Sequence, residues 1–160
     1  MSNNDFVSSI KAIPYPQSTV YDKLQDLTHL EQIRTRFDDP AFVQKLEEQV
    51  GTDKAAQFKQ QIQTLAFTTD SLTTDTPMGK LCLRIVEREE PKCIKFQGEG
   101  APVGLLMWIQ LLPVDDNNCH MRLTIRAELN MFIRKMVESK LTAGVEQLAE
   151  MLAHLPYDTL

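Results

Sequence analysis

The sequence is poor in the residue types that usually declare a chemistry. It holds three cysteines in 160 residues. Cys82, Cys93 and Cys119 are odd in number, none is spaced as Cys-x-x-Cys, and each falls in a strand-like run. That pattern argues against a disulfide framework and leads to the expectation of a reducing compartment. Histidine is as sparse: His29, His120 and His154 stand alone, without His-x-x-His or His-Glu-x-x-His spacing, so no metal site and no cofactor are expected. Only six glycines are present. Gly98, Gly100 and Gly104 are wrongly spaced for a phosphate loop and precede a strand, so turns account for them. The elbow Gly-x-Ser-x-Gly is missing, which leaves Asp70 and Ser71 without a hydrolase context.

Long hydrophobic runs are missing too. The longest, Val103 to Leu112, is interrupted by Gln110 and falls far short of the ~20 residues that cross a bilayer as a helix. The first residues, Met1-Ser2-Asn3-Asn4-Asp5, carry no positive flank and no apolar core, so an export signal is not expected and the cytoplasm is. Nor is there an excess of positive charge. The 17 basic residues are outnumbered by 22 acidic ones, for a net charge of -5, and they are scattered singly from Lys11 to Lys140. A nucleic-acid surface needs a local basic excess to release counterions, so no nucleic-acid partner is expected. What is present is 42% hydrophobic residues, enough for the core of one domain over 1–160.

The spacing of those apolar residues sets the organisation. Asp5 to Pro14 reads as an edge strand, about 5–13, ended by proline. Val20, Leu24 and Leu27 then recur at helical spacing. From Asp39 to Leu65, Phe42, Val43, Leu46 and Val50 form one stripe and Ala55, Phe58 and Ile62 another, divided at Gly51; helices are expected within about 16–64, the second pair framed by Pro40 and Gly51. From about 66 to 129 the period is two. Lys80–Arg88, Cys93–Gly98, Gly104–Pro113 and Cys119–Leu129 read as strands, with turns at Thr76–Gly79, Glu89–Lys92, Gly98–Pro102 and Asp115–Asn118. Asn130 caps a long helix over about 131–155, stopped by Pro156, which at about 1.5 Å per residue can cross a whole sheet. Its stripe is Ile133, Met136, Val137, Leu141, Val145, Leu148 and Leu152, with Arg134, Glu138, Glu146 and Glu150 opposite. Gly144 sits inside the stripe, as expected if helix and sheet approach closely there.

This order of strand, helices, antiparallel strands and one long closing helix resembles the helix-grip fold of the SRPBCC superfamily, which includes START-related lipid-transfer domains and polyketide cyclases. More specific pieces are VYDKLQDL (20–27), IVEREEPKCIKF (85–96), WIQLLP (108–113), AELN (127–130) and AEMLAHLPY (149–157). The resemblance covers nearly the whole chain. It implies an α+β domain in which a curved antiparallel sheet of about six strands wraps around the C-terminal helix. It also implies a pocket between the sheet and the N-terminal half of that helix, closed by the helices near Leu24 to Leu30.

Alternation supplies the expected lining. Leu83, Ile85, Ile94, Phe96, Leu123 and Ile125 point to the dry face, and Ile133, Met136, Val137 and Leu141 look back at them. Met107 and Ile109 join if the Gly104–Pro113 strand turns them inward, and Met107 and Met136 are adaptable enough for an irregular apolar ligand. The same residues also describe a filled core. In that register Leu106, Trp108, Gln110 and Leu112 lie on the outer face as an apolar patch suited to a partner or a homodimer, with Arg122 stacked near Trp108. In the reverse register Trp108 and Gln110 would enter the pocket; the first is favoured because a buried Gln needs partners. His29 near the mouth and Asp70 and Asp75 near an entrance are the ionisable candidates, each equally well read as a solvated helix-end or turn residue. The expected function is non-catalytic carriage of a small hydrophobic molecule, a lipid, isoprenoid or polyketide-like compound. The rivals are a cyclase or aromatase-like enzyme using the same pocket and an interaction module built around Trp108.

Overall fold

Period-two alternation from Ala66 onward builds most of the sheet. The structure, a computed structural model, describes residues 3–76, 79–100 and 103–160. Its strands are β1 (Asn3–Val7), β2 (Lys11–Ile13), β3 (Ala66–Phe67), β4 (Ser71–Thr76), β5 (Gly79–Glu89), β6 (Cys93–Glu99), β7 (Leu105–Asp115) and β8 (Asn118–Glu128). They form one antiparallel, curved sheet in the order β1-β8-β7-β6-β5-β4-β3, with β2 also paired to β8. The architecture is α+β and of helix-grip type.

Eight strands replace the expected six because the first breaks in two and a two-residue strand, β3, precedes β4. At the first break the buried Ser8 keeps the ladder alive: its amide donates to the Leu123 carbonyl, and its Oγ accepts the Leu123 amide, both at 2.9 Å. A side-chain oxygen thus stands in for a backbone acceptor. Parts of the expected turns, Pro77–Met78 and Ala101–Pro102, lie outside the described residues.

The helices follow their punctuation. The element α1 (Gln17–Leu24) is followed by a 3-10 turn over Leu27–Glu31, then α2 (Gln32–Arg36), α3 (Pro40–Val50) and α4 (Thr52–Thr64). Asp39 caps α3 by accepting the Ala41 amide at 3.0 Å, and Gly51 joins α3 to α4 at φ +92°, a conformation that favours glycine. The long helix α5 runs Met131–Ala153, capped by Asn130, whose Oδ1 accepts the Ile133 amide at 2.8 Å. Beyond Pro156 the chain turns back into the core. Tyr157 is fully buried and donates its hydroxyl to the Leu152 carbonyl at 2.6 Å.

Sheet and helices share one core. The inward residues Met107, Ile109 and Leu111 of β7 are buried together with Cys119, Met121 and Leu123 of β8 and with Val20, Leu24, Leu27 and Leu30 of α1 and the 3-10 turn. Burial pushes the Cys119 thiol up to about 11. Leu106, Trp108 and Gln110 are half-buried on the outer face and Leu112 is exposed, the favoured register. Trp108 lies between two cations, Lys95 at 5.7 Å and Arg126 at 5.2 Å from the ring. The expected Arg122 instead donates to Gln110 Oε1 at 2.9 Å, directly across the β7–β8 ladder. The outer patch around Trp108 is therefore layered with charge.

One flank of α5 departs from the expected solvated face. Arg134 donates to Asn4 Oδ1 and stacks 5.9 Å from the Phe6 ring. Glu146 accepts from the Ser9 amide at 2.8 Å, the Ser9 hydroxyl at 2.7 Å and the Lys11 ammonium, and Lys11 also reaches Glu150 at 2.6 Å. The helix lies over the β1–β2 edge, so residues placed opposite the apolar stripe meet the polar Ser8–Lys11 segment.

This clamp makes a pH-dependent contribution. The hydrogen bond from Lys11, with those from Ser9, holds the Glu146 carboxyl well below its ordinary 4.5, at about 2. Burial alone would lower the Lys11 value, but Glu146 and Glu150 outweigh it and raise it. In the unfolded chain Glu146 takes up its proton at the higher, ordinary value, so its contribution is present at neutral pH and is lost as pH falls from about 5 through about 2. Glu146→Gln is expected to lower the unfolding midpoint at pH 7 and to flatten its decline over that acid range, as followed by circular dichroism; equal slopes would show that the clamp does not couple to folding.

Candidate functional site

A cavity of about 390 Å³ lies beneath the middle of α5. Its sheet wall comes from inward positions of β4, β5, β7 and β8: Leu72, Leu81 and Leu83, then Leu105 and Met107, then Ile125 and Ala127. Val137, Leu141, Val145 and Leu148 of α5 face them, and Leu65, Val103 and Leu129 add to the apolar lining. The polar lining groups are Gln61 and Thr64 at the end of α4, Thr74 and Asp75 of β4, Lys80 of β5, and Lys140 and Gln147 of α5. The buried Gln61 Oε1 has no hydrogen-bond partner among the described residues. Such an amide in an apolar wall is costly unless something supplies a partner.

Of the residues expected to line a pocket, Leu83, Met107, Ile125, Val137 and Leu141 do. Ile85, Ile94, Phe96, Ile109 and Leu123 are buried in the core but lie outside the cavity wall. The division runs along the strands: α1, whose Gln17 Nε2 donates to the Leu111 carbonyl at 3.0 Å, packs over one end of β7 and β8, while the end bearing Leu105, Met107, Ile125 and Ala127 stays open. The closure expected from Leu24 to Leu30 is accordingly made by the end of α4, and the helical wall is the middle of α5 rather than its first half.

Two expectations on α5 are corrected. Met136 is 61% exposed, because at 3.6 residues per turn it stands about 100° around the helix from Val137, past the edge of the buried stripe; Ile133 is half-buried against the core and outside the cavity wall. Gly144 marks no close approach. A Cβ built there meets nothing within 4 Å, and the residue is exposed at the rim of the cavity, so the missing side chain leaves the rim open.

The missed lining residues were partly visible. Leu81, Leu105 and Ala127 share the phase of Leu83, Met107 and Ile125 and lie further along the same strands. Nothing in the sequence marks Gln61, Thr64 or Gln147, which tertiary packing brings to the rim.

The other polar candidates lie elsewhere. Asp70 is paired with Arg88 at 2.7 Å. His29 Nδ1 lies 3.3 Å from the Lys23 carbonyl and His154 Nδ1 2.8 Å from that of Glu150, while His120 sits on β8 opposite Ala12 and Leu112. No cluster of three or more metal-ligating side chains occurs among the described residues. A second hollow of about 620 Å³ lies between β2, α3 and the end of α5. Arg36, Asp39, Lys45, His154 and Asp158 line it, a charged setting for apolar cargo.

A curved sheet gripping a long helix over an apolar cavity defines a fold of SRPBCC type, and solved structures share it. Norcoclaurine synthase from Thalictrum flavum superposes with a TM-score of 0.61 at 10% identity over 95% of this chain and 85% of that one. The same enzyme in complex with dopamine and hydroxybenzaldehyde gives 0.59 at 10% identity over 99% and 89%. A START superfamily protein from Mycobacterium smegmatis gives 0.51 at 9% identity over 94% of each chain. No family model matches the chain, and no curated protein matches its sequence. Among the described residues no helix is long and apolar enough to cross a membrane.

Because a methyl group at Gly144 would enter open space, Gly144→Ala is expected to raise stability by up to about 1 kcal/mol through helix propensity. Thermal unfolding checks this: a lowered midpoint would mean that the helix does approach the sheet there.

Proposed function

We propose that the chain binds and carries a small apolar molecule, a lipid, isoprenoid or polyketide-like compound, in the cavity beneath α5 without catalysing a reaction on it. The observation that carries this reading is a 390 Å³ space walled largely by aliphatic side chains, with the exposed Gly144 at its rim. Its volume falls within the roughly 300–1,000 Å³ of small-molecule sites. At about 30 Å³ per non-hydrogen atom, the share of one water in the liquid, it takes on the order of a dozen such atoms. That suits a medium-length acyl chain, a short isoprenoid or two fused rings. The apolar walls drive uptake, and the rim of Gln61, Thr64, Thr74 and Gln147 orients a polar end. Free Cys82, Cys93 and Cys119 fit a cytoplasmic setting.

The rival reading, a cyclase or aromatase-like enzyme, would have to draw on Asp75, Lys80 and Lys140, which are solvent-exposed; Asp70, His29 and Gln110 lie outside the cavity wall. A homodimer through the outer face has less support, since Lys95 and Arg126 cover Trp108.

An uncharged naphthylamine fluorophore is expected to bind saturably at one per chain, and native mass spectrometry of gently purified protein to show an adduct that leaves on denaturation. Gly144→Phe, which places a ring at the cavity rim, should weaken probe binding at least tenfold without lowering the melting temperature. No uptake by the unsubstituted protein, or equal uptake by Gly144→Phe, would sink the proposal.

A further inference from the structure

The first turns of α5 carry an anomaly that the cavity does not use. Met131 and Phe132 are each 74% exposed and Met136 61%, three large apolar side chains within six residues of a helix whose other faces are packed or charged. At 3.6 residues per turn, Phe132, Met136 and the exposed Ala143 fall on one face, with Lys135 on one flank and Lys140 on the other. Carboxylates of the same helix are engaged elsewhere: Glu138 pairs with Arg134 at 3.3 Å and Glu146 with Lys11. From the neighbouring strand, Glu128 folds over Gly104, where a Cβ would meet its Oε2 at 2.7 Å. No described carboxylate forms an ion pair with Lys135 or Lys140, although acids outnumber bases in the chain. This apolar face is therefore bordered by unpaired positive charge on both sides, and Lys140 also lines the cavity, one turn before Gly144.

We infer that this face of α5 docks on an anionic lipid bilayer and brings the cavity rim to the membrane. It is a single convex helix face, suited to a fluid surface that closes around it. Phe132 and the flexible Met136 can enter the headgroup–acyl boundary while flanking lysines reach lipid phosphates. The net charge of -5 turns the rest of the molecule away from an anionic surface, so contact is orientated as well as reversible. The inference rests on the carrier reading for its purpose, since a bilayer supplies or receives apolar cargo.

Co-sedimentation of the full chain with phosphatidylcholine vesicles, with and without phosphatidylserine, tests it. Partitioning should rise about tenfold with phosphatidylserine and fall as salt is raised. The double variant Phe132→Ser/Met136→Ser removes exposed side chains only. It should lose at least about tenfold of that binding while keeping naphthylamine uptake. Lys135→Gln/Lys140→Gln should abolish the response to phosphatidylserine. Gly144→Phe should lose uptake but still sediment, so failure of the cargo reading and failure of docking give different results. Equal sedimentation of the Phe132→Ser/Met136→Ser variant and the unsubstituted chain, or equal binding to neutral and anionic vesicles, overturns the inference. So does a dimer in light scattering that Phe132→Ser makes monomeric, which would assign the face to a second copy.

Discussion

The height at which α5 rides over the sheet is the constraint on which the rest depends. Two layers of apolar side chains tend to close on one another until the space between them is filled, as interiors normally are. Here the helix is held by one flank. Arg134 reaches Asn4 and Phe6 near its start, and Glu146 and Glu150 grip Ser9 and Lys11 further along. Tyr157 and the terminal turn fix the far end. The polar flank is thus committed to the β1–β2 edge, while the apolar stripe of Val137, Leu141, Val145 and Leu148 stands off from β4, β5 and the facing ends of β7 and β8. The cavity lies between them.

Gly144 belongs to the same arrangement. In a filled interface a glycine on the inner side of a helix would permit contact, and a neighbour would occupy the place of its side chain. Nothing approaches it here. The helix tolerates the lost propensity, and the rim of the hollow stays unobstructed at this exposed position.

Most of the fold could be read directly because local signals agree with tertiary structure along β5 to β8 and α5. The phases of Leu83, Ile85, Met107, Ile109, Leu123 and Ile125 place each residue on the inner face where it is found, and Asn130 and Pro156 bracket the long helix. The cavity was less legible, since alternation tells which face a residue occupies but not where along the sheet a helix covers it. Phe96 and Leu83 both point inward, yet only Leu83 meets empty space. Met136 failed for a related reason: a helical stripe has edges, and sequence alone does not say how far the sheet extends beneath them. Ser8 shows a third limit, because a strand broken by a side-chain hydrogen bond looks continuous as a pattern.

The two borders of the sheet differ from its centre. Central strands β7 and β8 run for 11 residues each, whereas one border is the two-residue β3 and the other is divided between β1 and β2 by the Ser8–Ile10 segment. A passing extended chain finds no long, straight row of open backbone groups at either margin. A protein that keeps an apolar hollow open inside can therefore hold its most adhesive backbone, the long central strands, out of reach of its own copies. Crowding should pose it less hazard than the length of those strands implies.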